Sequence, residues 1–402
     1  MKTTIFGQHE EGTLRQFDNC LATGQVGGGV LCADGHYGYS QPVGGVIAYK
    51  EQVAPSGVGY DIACGNKAVR TNLVYDDIRE DMKVIMDDVA KRISFGVGRK
   101  NKKKIDHEVF DDGRWDVYRT FGQQEHDILK KLAYEQLGTV GAGNHFVDIF
   151  VEEATSEVWV ANHFGSRGFG HKTASGFLNL AAGRNFLDRA LGETMEQLPT
   201  LLSTTTELGQ LYLEAMSLAG RYAYAGRDVV MDEVLAILGA REVEAVHNHH
   251  NFAWQEQHDG EDFIVVRKGA TPSAPNQLGF IGGSMCDTSV IVRGKDNAAN
   301  ADAWYSTVHG AGRVMSRTEA AGKMNWKTKK RRGGKITPHQ MQEAVQAYGI
   351  ELRGAGTDES PFVYRKLQTV LDAHADTIEV VHKLRPIGVA MAGANEFDPY
   401  KD

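Results

Sequence analysis

Apolar positions follow two rhythms along the chain. In one, short runs crowded with Val, Ile and Phe are bounded by glycine or polar turns, which predicts strands at residues 43–49, 69–74, 146–150, 156–161, 243–250, 262–267, 279–281 and 289–292. In the other, apolar residues recur every three to four positions. Ile78, Met82, Ile85, Met86 and Val89, behind Asp76 and Asp77, predict one helix. Residues 122–136 predict a second, most of 172–239 a long helical region, and 337–348 and 363–383 two closing helices. Strands and helices are interspersed without an internal repeat, a low-complexity tract or a linker. The expectation is an α+β fold, one large domain over residues 1–402, with a mixed β-sheet core surrounded by helices.

Composition narrows the function classes. A hydrophobic fraction of 42% with 24% charged residues suits a soluble globular chain, and no stretch approaches the roughly 20 apolar residues that span a bilayer. The net charge of -8 argues against indiscriminate coating of nucleic acid, yet leaves room for a local basic groove. Two basic runs stand out: residues 99–104, and the segment from Lys323 to Lys335 around Trp326. Each reads either as a solvated loop or as a track for phosphates, the second with one aromatic for a base to stack on. Cys20, Cys32, Cys64 and Cys286 are scattered, with no CxxC spacing and no signal peptide ahead of them, which points to reduced thiols and a cytoplasmic location.

The densest candidate chemistry begins in GVGYDIACGNKAVR, residues 57–70, where glycines bend the backbone around Asp61 and Cys64. A carboxylate and a thiolate three residues apart can face one borderline divalent ion. His145, His163 and His250 each adjoin a glycine turn or a strand end, and five such donors exceed one closed tetrahedral site. They fit two ions sharing the thiolate, each with positions left open. His309, followed by Gly310, Ala311 and Gly312, has small neighbours that admit a phosphate close to its ring; it reads as a nucleophile toward phosphorus, a general acid or a packed histidine. Gly282, Gly283, Ser284 and Met285, with Ser289 downstream, read as a backbone-donor loop for phosphate or as a plain strand turn. Asp34 and His36 lie in ADGHYGY, which reads as an Asx turn in a polar loop.

Seven segments occurring in order, GVGYDIACG, GTVGAGNHF, HFGSRGFGH, HHNFAWQEQH, RKGATPSAP, GGSMCDTS and HGAGRVMSR, resemble the signature segments of the RtcB family of RNA-splicing ligases. The resemblance implies an RtcB-like fold and an enzyme that joins an RNA 3′-phosphate or 2′,3′-cyclic phosphate end to a 5′-hydroxyl end in tRNA splicing or RNA repair; a monomer is the expectation, which the sequence itself does not fix. GTP and two Mn²⁺ ions would be its cofactors. By match to the family's motifs, Asp61, Cys64 and His145 would hold one manganese, and Cys64, His163 and His250 the other. His309 would carry GMP, and nucleotide contacts would come from Asn144, His145, Phe146, Val147, Asp148, His250, Asn251, Gly282, Gly283, Ser284, Met285, Ser289, Gly310, Ala311 and Gly312.

The chain also departs from the family pattern. Members finish in a strand ending Lys-Gly, whereas Met391 or a neighbour stands at the lysine's place here, and Lys401 lies in an added tail. Gly282 replaces a usual proline, and Gly35 and Tyr39 replace the commoner Val and Lys. A thioether supplies neither the charge nor the donors of an ammonium. The departures motivate an alternative expectation, a metal-dependent phosphoesterase that processes RNA 3′-phosphate or cyclic-phosphate ends without ligation. A third, a non-catalytic RNA-end binder, rests only on the basic run around Trp326.

Overall fold

A computed structural model describes residues 2–101, 103–190, 194–325, 330–394 and 396. Its larger sheet runs in the order Glu242–His249, Gly65–Val74, Glu157–Phe164, Phe146–Glu152, Ile378–Gly393, Ser289–Gly294, Leu278–Ile281. Neighbours in that order are antiparallel, while Glu351–Ala355 pairs parallel to Ile378–Gly393, so the sheet is mixed. A second sheet of five strands runs Lys2–Ile5, Val26–His36, Val43–Tyr49, Glu261–Lys268, Asn251–His258. Helices pack around this core, and the α+β architecture expected from the sequence is the one observed.

The period-two alternation of the strands divides the larger sheet into two apolar faces. Val69, Val147, Ile149, Val158 and Val160 pack on one side against Ile85, Met86 and Val89 of helix Met82–Arg92 and Val230 and Val234 of helix Glu207–Leu238. Ala68, Phe150, Trp159 and Ala161 face the other way, onto Phe280, Ile291 and Leu384. Helix Glu207–Leu238 starts where Thr206 Oγ1 accepts the Gly209 N–H and stops at Gly239, whose φ of 63° favours a residue without a Cβ.

Four expectations change. The helical region expected at 172–239 is two helices, Arg167–Ala181 and Glu207–Leu238, and Leu202–Ser203 between them is a short strand. The helix expected to begin at Asp76 is a single turn, Tyr75–Ile78, followed by Met82–Arg92. The closing helix expected at 363–383 is confined to Leu367–Ala373; from Ile378 the chain is a 16-residue strand in the middle of the larger sheet. Pro386 cannot donate inside a helix, and here it sits at a register shift opposite Phe150, where the ladder makes no demand on it. Lastly, the polar loop expected at residues 33–39 is strand as far as His36. Of the basic segment around Trp326, Lys323–Asn325 and Lys330–Arg332 pair as a hairpin, and Trp326 itself lies outside the described residues, as does Lys401.

Candidate functional site

Four chain segments end at one place because the sheet order puts them there. Cys64 immediately precedes strand Gly65–Val74, in a tight turn in which Cys64 N donates to Asp61 O at 3.0 Å and Ala63 takes a left-handed φ of 59°. Gly65 then crosses so close to the neighbouring strand that a Cβ would lie 2.2 Å from Asn248 O. This close approach lets His250 N donate to Cys64 O at 2.8 Å. On the other side, Asn66 pairs with His163, which pairs with Phe146, next to His145.

The five donors named from the sequence are therefore brought together. Cys64 Sγ lies 3.3 Å from His163 Nε2 and 3.6 Å from His145 Nε2; His163 Nε2 lies 3.3 Å from His250 Nε2, and His145 Nε2 lies 3.2 Å from Asp61 Oδ2. They form two triplets that share the thiol, Asp61–Cys64–His145 and Cys64–His163–His250. Cys64, His163 and His250 are each no more than 6% exposed.

The surroundings fix how these groups present themselves. His163 Nδ1 lies 3.2 Å from Asn144 O and His145 Nδ1 lies 3.1 Å from Val140 O, so a proton on each Nδ1 leaves the Nε2 lone pair turned to the cluster. Arg167 Nη1 is 3.2 Å from the same His145 nitrogen; a guanidinium only donates, so this contact and the one to Val140 are alternatives. Burial, then the neighbouring rings of His145 and His309, hold the His163 pKa well below its ordinary value, and burial, then His309 and His163, does the same at His250. Both rings are neutral, as metal ligands must be. Burial opposes the charge of Asp61, yet His145, Arg167 and His163 bring its pKa down to about 2. Burial and Asp61 push the Cys64 thiol well up, against the pull of Arg227 and Arg167.

Lone pairs of sulfur, imidazole nitrogen and carboxylate oxygen thus face one another in a buried place, and Asp61 Oδ2, whose near neighbour is His145 Nε2 at 3.2 Å, makes no well-aligned hydrogen bond among the described residues. Such an arrangement is repulsive by itself, and divalent cations reconcile it by turning each lone pair into a bond and the thiol into a thiolate. The residues present fit two borderline divalent ions.

His309 lies beside this cluster, its ring centroid 4.9 Å from that of His250. Its Nδ1 is 2.6 Å from Asp34 Oδ2, which also accepts the backbone N–H groups of His309 at 3.0 Å and Gly310 at 3.3 Å. Asp34 is fully buried; burial opposes its charge, but its contacts with His309 lower its pKa below the usual carboxylate value. The sequence reading of Asp34 as a turn residue missed this partnership. Its one signal was a charged residue inside an apolar run, VLCADGH.

A cavity of about 810 Å³ opens onto both the cluster and His309. Of the residues expected to touch a nucleotide, Asn144, Phe146, Asp148, Asn251, Gly282 to Met285 and Gly310 to Gly312 line it. Val147 does not, being fully buried in the sheet core by strand alternation. Ser289 lies off the wall as well; its Oγ accepts the Gly283 N–H at 3.0 Å and so shapes the loop from behind. Asn251 Oδ1 accepts the Gly269 N–H at 2.7 Å, which ties the histidine-bearing turn to the glycine packed against His309. Asp148 Oδ1 has no partner among the described residues, and burial pushes that carboxyl well above its ordinary pKa, offset only in part by the Ala390 N–H. Met391 pairs with Phe146 across the sheet and contributes to the wall of the same cavity.

Comparison with known proteins points to one family. A family model described as tRNA-splicing ligase RtcB matches residues 19–392. The RNA-splicing ligase RtcB of Escherichia coli strain K12 is 32% identical over 378 residues, covering 88% of this chain and 87% of its own. The tRNA-splicing ligase RtcB of Thermococcus kodakarensis is 30% identical over 435 residues, 90% of this chain and 87% of its own. A match that runs through Asp61, Cys64, His145, His163, His250 and the His309 loop makes this chain a member of the RtcB family.

Proposed function

We propose that this chain is an RNA ligase of the cytoplasm that joins an RNA 3′-phosphate or 2′,3′-cyclic phosphate end to a 5′-hydroxyl end, using GTP and two Mn²⁺ ions. The observation that carries the proposal is the placement of His309, held by Asp34 through Nδ1, on the same cavity as the two ligand triplets. With Nδ1–H committed to Asp34, the Nε2 lone pair is the ring's free nucleophile.

His309 Nε2 attacks the α-phosphorus of GTP; a P–N bond forms and the bond to the β-phosphate oxygen breaks, releasing pyrophosphate. Asp34 stabilises the positive charge that develops on the ring. A 2′,3′-cyclic end is first opened by water, which breaks the bond from phosphorus to O2′ and leaves a 3′-phosphate; an RNA 3′-phosphate oxygen then displaces His309 from phosphorus, leaving the RNA end joined to GMP. Attack by the 5′-hydroxyl on the RNA phosphate finally expels GMP and makes the phosphodiester. Asp61, Cys64 and His145 would hold one ion and Cys64, His163 and His250 the other; when bound, the ions supply neutralisation of the crowded phosphate charge. Backbone N–H groups of Gly282 to Met285 and Gly310 to Gly312 would orient the phosphates.

The test is joining of a 3′-phosphorylated RNA to a 5′-hydroxyl RNA by the purified chain. Product that requires both GTP and Mn²⁺ is expected. A second reading, end processing without joining, is favoured by Met391 in the cavity wall where a lysine was expected. Removal of the terminal phosphate in the absence of GTP, with no joined product in its presence, would select that reading.

A further inference from the structure

The sequence singled out the run His247-Asn248-His249-His250, of which the cluster uses only His250. Strand alternation turns His247 and His249 the other way, toward helix Glu207–Leu238, where they meet Arg227. Arg227 is fully buried, and its guanidinium spends its donors on four neutral acceptors. Nε donates to His247 Nε2 at 2.9 Å, and Nη1 donates to Ala63 O at 2.9 Å and Phe164 O at 2.7 Å; Nη2 lies 2.9 Å from His249 Nδ1, which accepts from it in the tautomer that leaves the 3.2 Å approach of Nδ1 to Ala63 O without a hydrogen bond.

Three of these acceptors share one property. Ala63 adjoins Cys64, Phe164 adjoins His163, and His249 adjoins His250. One rigid fork on one helix thus holds the chain immediately beside every member of the Cys64–His163–His250 triplet, whereas of the other triplet it reaches only the shared Cys64. Resting on the reading of these triplets as metal sites, we propose that Arg227 is the positioning residue of the Cys64–His163–His250 site and sets the affinity of that ion in preference to its neighbour. The planar fork matters here, because a lysine ammonium has three donors on a flexible stem and cannot span the same four acceptors. Outer partners that orient metal ligands typically carry 10–100-fold in metal affinity.

The test is calorimetric titration of the metal-free full chain with Mn²⁺, with three variants beside the unaltered protein. The unaltered chain is expected to bind two ions. Arg227→Lys should keep one of them and bind the other about tenfold or more weakly. His249→Leu removes an acceptor and should do the same, while His249→Asn, whose side-chain oxygen can take the place of Nδ1, should retain both. A Co²⁺ titration adds a spectroscopic signature, since the thiolate charge-transfer band should weaken in Arg227→Lys and His249→Leu but not in His249→Asn. Equal weakening of both ions would mark Arg227 as a general structural residue and overturn the proposal, as would unchanged binding in Arg227→Lys. If Arg227→Lys fails to fold, the contrast between His249→Leu and His249→Asn decides. Failure of the unaltered chain to bind two Mn²⁺ would instead overturn the metal reading beneath the proposal.

Discussion

Asp34 Oδ2 and His309 Nδ1 lie 2.6 Å apart although 275 positions separate them in the chain. The contact fixes which imidazole nitrogen is protonated, and thereby which one is free to attack. Asp34→Asn keeps the shape but removes the charge, and its amide can stabilise the opposite tautomer. The rate of GMP transfer to the protein should fall about 10²-fold or more, with far-UV circular dichroism unchanged. A rate within twofold of the unaltered chain would mean that Asp34 serves the fold alone.

Cys64 belongs to both ligand triplets and Asp61 to one. Cys64→Ala should therefore abolish tight binding of both Mn²⁺ ions, while Asp61→Ala should weaken mainly one. Calorimetric stoichiometry distinguishes these outcomes; two equal single-ion losses would contradict a shared thiolate.

Much of this site was legible because each candidate ligand adjoins a glycine turn or a strand end, places where side chains project and backbones crowd. Convergence was not legible, since it depends on a sheet order that brings residues 64, 145, 163 and 250 to neighbouring strand ends. The closing strand was misread for a local reason. Ile378, Val381 and Leu384 recur every three residues, the rhythm of a helix. In the sheet a register shift does this: Ile291 faces His382 and Val292 faces Val380, so Val381 is passed over and the period of two is broken. Asp34 and Arg227 escaped because their partners lie elsewhere in the chain, and the charge of Asp34 inside an apolar run does not say which residue it meets.

His374 is fully buried, its Nε2 accepts the Ala33 N–H at 3.2 Å one residue from Asp34, and burial lowers its pKa to about 4. Between pH 6.5 and about 4 the unfolded chain binds a proton here that the folded chain does not, so folding stability falls as the pH is lowered through this window. The gap corresponds to about 3 kcal/mol at roughly 1.4 kcal/mol per pH unit. His163 and His250 act in the same direction. His374→Gln retains an acceptor without a titrating group, so urea titrations should show a smaller loss of stability from pH 7 to pH 5 in the variant than in the unaltered chain. An identical pH dependence would exclude His374 as a contributor.

Met391 is 9% exposed in the wall of the cavity that Asp148 also lines, two strand positions along from its partner Phe146; burial pushes the Asp148 carboxyl well above its ordinary pKa. Met391→Lys places a cation within that wall and gives it a carboxyl to pair with. GTP binding should tighten by roughly tenfold, the worth of one hydrogen bond to a charged group. Nucleotide affinity measured by fluorescence competition tests this, and weaker binding in the variant would show that the apolar wall is itself the recognition element.

In the proposed reaction His309 is the carrier of GMP. Intact-mass and peptide mass spectrometry of the purified chain after incubation with GTP and Mn²⁺ is the direct measurement. A GMP adduct on the peptide containing His309, absent without Mn²⁺ and absent in His309→Ala, is the predicted result. An adduct that persists in His309→Ala, or none on the unaltered chain under conditions where RNA ends are joined, would contradict it.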